Sequence, residues 1–375
     1  MDRRSFIGKT SLAVAGMTAL KTQAFTVAAK EVGLAELYKE DFLIGAAING
    51  RTLTSNDEEM LGIIKREFNS ITTGNAFKWG PIHPGDDEWR FDVPDRFVKF
   101  GLENNMYLLG HVLVWHSQVP RGLFRDESGG EISKEALLKK LKNHISTLVG
   151  RYKGKINAWD VVNEAIEEKG WRQTNWLKII GPEFMETAFN LAHEADPDAH
   201  LIYNDYNMDK KGRRDQVVEM IRDYKKRNVP IHGIGLQGHI GLDYPDLNEF
   251  ETSIKAFADE GMKVHVTELD VTVLPYDWER TAEISTNREY AATLNPYKDG
   301  LPKKVAKQLA KRYEDLFKLL LKYRESVERV TFWGVSDDMS WKNNFPMRGR
   351  TDYPLLFDRA HQPKLCYHAI AKLKK

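Results

Sequence analysis

Ile156-Asn157-Ala158-Trp159-Asp160-Val161-Val162-Asn163-Glu164-Ala165 is a short, mostly apolar run that stops at an amide and a carboxylate. Just ahead of it, Ala136–Val149 carries Leu137, Leu138, Leu141, Ile145 and Leu148 on one stripe, the spacing of an amphipathic helix. A helix, then a buried strand with polar groups where it ends, is one turn of a repeating β/α unit. Further strand-like runs occur at Phe42–Ala47, Ser70–Thr73, Met106–Val112, Leu201–Asn204, Ile234–Gln237, Lys263–Thr267 and Val330–Val335. Helical periods lie between them; in Val305–Tyr323, for example, Leu309, Tyr313, Leu316, Phe317 and Leu320 recur at threes and fours. Eight such units close into a barrel, so the expected class is α/β, a (β/α)8 TIM barrel in a single domain over residues 30–375. A doubly wound open sheet is the competing fold, but no glycine-rich phosphate loop follows the first run.

Composition narrows the function. Among 375 residues, 55 Lys and Arg against 54 Asp and Glu leave a net charge of +1, which gives no reason to expect nucleic acid or an acidic membrane as partner. The single cysteine, Cys366, excludes intrachain disulfides and multi-cysteine metal sites. Residues 1–29 read differently from the rest: Arg3-Arg4-Ser5-Phe6-Ile7, a weakly apolar Ser11–Leu20, then small residues through Ala28-Ala29. An arginine pair before a short apolar core resembles a bacterial twin-arginine export signal, removed on export to the periplasm or the medium; a frayed N-terminal helix is the plainer alternative. No later apolar run is long enough to span a bilayer, so no membrane span is expected in the mature protein. A monomer is expected.

In such barrels chemistry gathers on the loops after the strands. Asn75 and Lys78 follow the second run; His111, Trp115, His116 and Gln118 end or follow the third; Asn163 and Glu164 close the fourth. Asn204, Asp205 and Asn207 close the fifth, Gln237 and His239 the sixth, Glu268 and Asp270 the seventh, and Asp337, Asp338 and Trp341 follow the eighth. Capping of the next helix explains some of the Asn and Asp. It does not explain glutamates and tryptophans at these places.

Glu164 and Glu268, the latter in Val264-His265-Val266-Thr267-Glu268-Leu269-Asp270, end strands on facing sides of an eight-strand barrel. Two carboxylates across a barrel mouth suit glycosidic cleavage: one protonates the departing oxygen, the other attacks the anomeric carbon or activates water. A separation of about 5–5.5 Å gives retention, and about 6.5–9.5 Å gives inversion. Strand alternation would put Asn163 and Glu164 on opposite faces, so a joint role requires an irregular strand end. Val264 and Val266 share the parity of Glu268 and are expected, with it, to face the barrel interior.

Five motifs, in order, resemble glycoside hydrolase family 10, the retaining endo-β-1,4-xylanases: Gly110-His111 with Leu113 to Gln118, Trp159 to Ala165, Gly235 to His239, Val266 to Asp270, and Trp333 to Asp337 with Trp341. The resemblance runs from about residue 40 to the C-terminus. It implies hydrolysis of xylan and xylo-oligosaccharides with no cofactor and no metal, Glu164 as general acid/base and Glu268 as nucleophile. By the same resemblance Asn163 binds the sugar 2-hydroxyl, His239 orients Glu268 and Asp270 holds the imidazole. Asn75, Lys78, His111, Trp115, Gln118 and Gln237 are implied sugar contacts, and Trp333 and Trp341 the wall and roof around the reacting sugar. Flat rings suit the apolar C–H face of a sugar.

One position departs from the family pattern. Where the family has a glutamate after the second strand, this chain has Gly74, in Gly74-Asn75-Ala76-Phe77-Lys78-Trp79. The long segment from Asp270 to about Lys303, with Tyr276, Trp278, Tyr290 and Tyr297, is expected to wall the leaving-group side, with a packing-only role as the alternative. Three rivals stand beside the xylanase reading: a retaining glucanase or mannanase barrel, a metal-dependent hydrolase built on His111, His116, His239 and Asp270, and a carbohydrate-binding barrel without turnover.

Overall fold

The computed structural model describes residues 32–55, 57–275 and 292–375. The expected export segment, and Tyr276, Trp278 and Tyr290 of the long segment, lie outside the described residues. Eight strands form one closed sheet: β1 Leu43–Ile48, β2 Ser70–Thr73, β3 Tyr107–Val114, β4 Ala158–Asn163, β5 His200–Asp205, β6 Gly233–Leu236, β7 Lys263–Thr272 and β8 Val327–Phe332. Each pairs in parallel with the next, and β8 pairs with both β7 and β1, which closes the barrel. Helices cover the outside. The expected helices appear as Lys134–Arg151, whose first turn is capped by Ser133 accepting from the Ala136 N–H at 3.2 Å, and Lys303–Lys322.

Two layers of side chains follow from strand alternation. Outward-facing residues such as Trp159, Val264 and Val266 belong to the large core between barrel and helices. Inside the barrel, Leu109, Ala158 and Ile202 form a separate small cluster with Tyr107 against it. Other inward positions are polar, and His111, Asp160, Asn204, His265, Thr267, Arg329 and Thr331 are all buried.

This corrects the expectation for β7. Val264 and Val266 face the helices, whereas Thr267 faces inward and donates to Asn204 Oδ1 at 2.6 Å. Glu268 reaches the barrel mouth because the β7–β8 register shifts between Val266 and Leu269, a bulge that re-aims the side chain. Strand β7 also runs to Thr272, beyond the expected Thr267, because Asp270, Val271 and Thr272 pair with the short strand His239–Gly241. Strand β8 starts at Val327 rather than Val330 and stops at Phe332, because the charged Glu328-Arg329 pair lies within the strand and not before it. Among the described residues no helix is long and apolar enough to cross a membrane.

Candidate active site

The C-terminal ends of β2, β3, β4, β6, β7 and β8 bring the expected residues to one mouth. The Asn163–Glu164 problem is solved by the backbone. Strand β4 ends at Asn163 after a register shift between Asp160 and Val162, and Glu164 adopts a left-handed φ of 58°. Its N–H still donates to the Asn204 carbonyl at 2.9 Å. That one turned residue lets consecutive side chains serve the same cleft.

Three amides connect the two carboxylates. Asn204 Nδ2 donates to Glu268 Oε1 at 2.8 Å and to Asn163 Oδ1 at 2.9 Å. Gln237 Nε2 donates to Glu164 Oε1 at 2.8 Å and to the same Asn163 Oδ1 at 3.3 Å. Trp115 Nε1 donates to Glu164 Oε2 at 2.9 Å. Both glutamates are buried, at 7% exposure for Glu164 and 5% for Glu268.

Their electrostatic settings differ. Burial pushes the Glu268 carboxyl pKa up, but the hydrogen bond from His239 at 3.3 Å, the charges of His111 and His239, and the Asn204 amide outweigh it, and the net shift is downward. Burial likewise opposes charge on His239. The Asp270 carboxylate, 3.0 Å from Nδ1 in a contact too bent for a hydrogen bond, and Glu268 on the other nitrogen outweigh that and raise its pKa to about 9. His239 is therefore biased toward its protonated form between two carboxylates. Asp270 in turn accepts from Trp341 Nε1 at 2.8 Å and lies 3.4 Å from Lys342 Nζ.

The rest of the mouth is aromatic and cationic. Burial drives the Lys78 ammonium pKa down to about 8 against the pull of Glu268 and Glu164; its Nζ donates to Asn75 Oδ1 at 3.1 Å and sits 4.8 Å from the Trp115 ring. His111 is held by Asp160 at 2.8 Å and meets Trp333 edge-on at 5.3 Å. Trp341 packs on His239 at 5.1 Å. A cavity of about 240 Å³ opens beside these groups, lined by Asn75, Lys78, Gln118, Trp333 and Trp341 together with Gly74. A Cβ placed on Gly74 would meet nothing within 4 Å. The position is open space where a longer side chain would reach into the cleft.

Several residues of the sequence's rim do not join it. Asp205 faces away from the cleft, paired with Arg213 at 2.7 Å and accepting from Tyr203 at 2.5 Å. Asp337 is tied to Lys364 at 2.8 Å and to the Leu355 N–H at 2.9 Å. These are supports. Tyr203 Oη accepts the Ala165 and Ile166 N–H groups at 3.1 and 2.9 Å, and Arg172 Nε donates to the Glu164 carbonyl at 2.9 Å, so both fix the turned residue from behind. Asn204, Asp160, Tyr203 and Arg172 carry structural weight the sequence analysis did not assign; Asn204 alone had a signal, its place at a strand end. The histidines and Asp270 considered as metal ligands do not cluster as such. Among the described residues, the one group of three close enough to share an ion is His200, His265 and Glu328, at the opposite end of the barrel.

The model of the family Glycosyl hydrolase family 10 matches residues 33–373. Endo-1,4-beta-xylanase A of Xylanibacter ruminicola is 42% identical over 349 residues, covering 92% of this chain and 95% of the relative. Endo-1,4-beta-xylanase B of Paenibacillus barcinonensis is 41% identical over 334 residues, covering 88% and 95%. Among solved structures, a GH10 endoxylanase retrieved from a sugarcane soil metagenome superposes with a TM-score of 0.89 at 51% identity, covering 91% of this chain and 100% of that one. A xylanase from Paenibacillus barcinonensis in complex with a conduramine derivative gives 0.82 at 39% identity, covering 92% and 99%.

Proposed function

The chain belongs to glycosyl hydrolase family 10, and from that premise we propose that it is a retaining endo-β-1,4-xylanase with Glu164 as general acid/base and Glu268 as nucleophile. It hydrolyses internal β-1,4 bonds of xylan. The observation that carries the assignment of roles is the difference in partners of the two carboxylates: Glu268 accepts from His239 and the Asn204 amide, which lower its pKa, and Glu164 accepts from the Trp115 indole and the Gln237 amide.

In the first step a Glu268 oxygen forms a bond to the anomeric carbon as the glycosidic C–O bond breaks, and the Glu164 proton passes to the departing oxygen. In the second, Glu164, now a carboxylate, takes a proton from water whose oxygen displaces Glu268. His239 and Asn204 hold the nucleophile's two oxygens, which limits the conformers it must search before attack. Asn163 accepts from both Asn204 and Gln237 through Oδ1, which fixes its amide and leaves the NH2 as a donor for the sugar 2-hydroxyl. Trp115, Trp333 and Trp341 supply flat apolar faces, with Asn75, Lys78, His111, Gln118 and Gln237 taking hydroxyls. The arginine pair and apolar core within residues 1–29 support export to the periplasm or medium, where a polymer too large to enter the cell is met, and the enzyme acts there as a monomer.

The experiment compares hydrolysis of xylan, mixed-linkage glucan and mannan by the wild type and by Glu268→Ala. Turnover of xylan that the variant loses supports the reading. Equal turnover of glucan or mannan points to a different β-glycanase, and retained xylan hydrolysis in the variant overturns the residue assignment.

A further inference from the structure

We propose that the face of the barrel opposite the catalytic mouth carries a zinc-type metal site made by His200, His265 and Glu328. His200 opens β5, His265 lies near the start of β7 and Glu328 near the start of β8, so the three come from the N-terminal ends of the strands. The two Nε2 atoms share a hydrogen bond at 3.2 Å, a contact whose proton an ion would replace. Glu328 Oε2 lies 3.8 Å from His200 Nε2 and 3.4 Å from His265 Nε2. A tetrahedral zinc with bonds of about 2.0–2.1 Å requires its ligand atoms to stand about 3.3 Å apart, and these three separations approximate one face of that tetrahedron.

Three further observations point to a ligand. Glu328 Oε2 is buried without a hydrogen-bond donor, and His265 is fully buried with Nε2 aimed at the same spot. The β7–β8 register slips between Val264–Val327 and His265–Arg329, so Glu328 is the extra residue of a bulge, the device that turns its carboxylate toward two inward histidines. Gly233, on β6 between them, has no side chain: a Cβ there would stand 2.7 Å from His200 Nε2 and 2.8 Å from His265 Nε2. That missing methyl leaves room beside both nitrogens.

The electrostatics cut both ways. Lys263 and Arg329 bring positive charge near the two imidazoles, and the Glu328 carboxylate stands within 3.8 Å of His200 and 3.4 Å of His265. Two imidazoles and one carboxylate favour zinc over calcium or magnesium, which prefer all-oxygen shells. Such an ion would tie β5, β7 and β8 together at the N-terminal ends of the strands, the end of the barrel opposite Glu164 and Glu268.

The test uses the untagged full chain stripped with a chelator, then titrated with Zn²⁺ by calorimetry and followed by thermal unfolding. One zinc per chain, a rise in Tm on the order of a few degrees, and affinity at least about tenfold weaker in both His200→Ala and Glu328→Gln are expected, with xylan hydrolysis unchanged. Gly233→Ala should also abolish binding. Absence of saturable binding, or zinc bound as tightly by His200→Ala and Glu328→Gln as by the wild type, would overturn the proposal.

Discussion

At the scale of single residues the site works through pairs that fix one another's charge. Glu268→Ala is expected to abolish turnover on every glycoside, whereas Glu164→Ala should spare activated aryl xylosides, whose leaving group needs no proton. Steady-state kinetics on both substrate types separates the two roles. The His239 cation is set by Asp270 and Glu268. Its pKa in the folded chain, about 9, lies above the ordinary 6.5, so its contribution to stability is whole below pH 6.5 and is lost as pH rises through about 9. In His239→Asn the nucleophile loses the cationic donor whose charge lowers its pKa. The acid limb of the kcat/KM profile should then move toward neutral pH, while Tm declines less between pH 7 and 10 than in the wild type. An unmoved acid limb would exclude His239 as the group that keeps Glu268 ionised. Asn204→Ala removes the amide shared by Glu268 and Asn163; a hydrogen bond to a charged group is worth about 1.5–3 kcal/mol, so kcat should drop about ten- to a hundredfold. Gly74→Glu places a carboxylate into open space beside the cleft and should lower KM on xylo-oligosaccharides with kcat little changed.

Elements show where sequence reading succeeds and where it stops. All eight strands and the helices Lys134–Arg151 and Lys303–Lys322 announce themselves, the helices because each buries one face and the strands because burial on both faces makes them short, mostly apolar runs. Packing of the second helix is correspondingly firm: Phe317 stacks on Phe332 at 6.1 Å and meets Tyr38 edge-on at 5.4 Å. Phe317→Ala should cost about 3–5 kcal/mol, readable by urea unfolding. What sequence does not reveal is which side of a barrel strand faces in. On β7 both sides are buried, valines toward the helices and His265 and Thr267 toward the axis, so alternation assigned Val264 and Val266 to the wrong layer. The start of β8 was hidden for the same reason, since a buried arginine inside a barrel resembles a loop residue in one-dimensional text. Bulges and the left-handed Glu164 decide the final aim of both glutamates, and neither leaves a residue-level mark.

For the molecule as a whole, a barrel separates two faces that can be changed independently. The catalytic residues lie at one end, and the partly polar interior leads to His200, His265 and Glu328 at the other. Arg329, fully buried with Nε and both terminal nitrogens unbonded among the described residues, occupies that interior, where the charges of Asp160 and Glu328 act on it. Chelation of zinc-loaded enzyme should accordingly lower Tm and leave kcat on xylan intact, a separation that activity assays paired with thermal unfolding would detect. The direct measurement of the central claim is covalent trapping. Incubation with a 2-deoxy-2-fluoro-xylobioside bearing an activated leaving group slows breakdown of the glycosyl-enzyme, and digestion with mass spectrometry then locates the sugar. The account predicts one xylobiosyl adduct on the peptide containing Glu268; an adduct on another residue, or turnover with an inverted first product and no adduct, would contradict it.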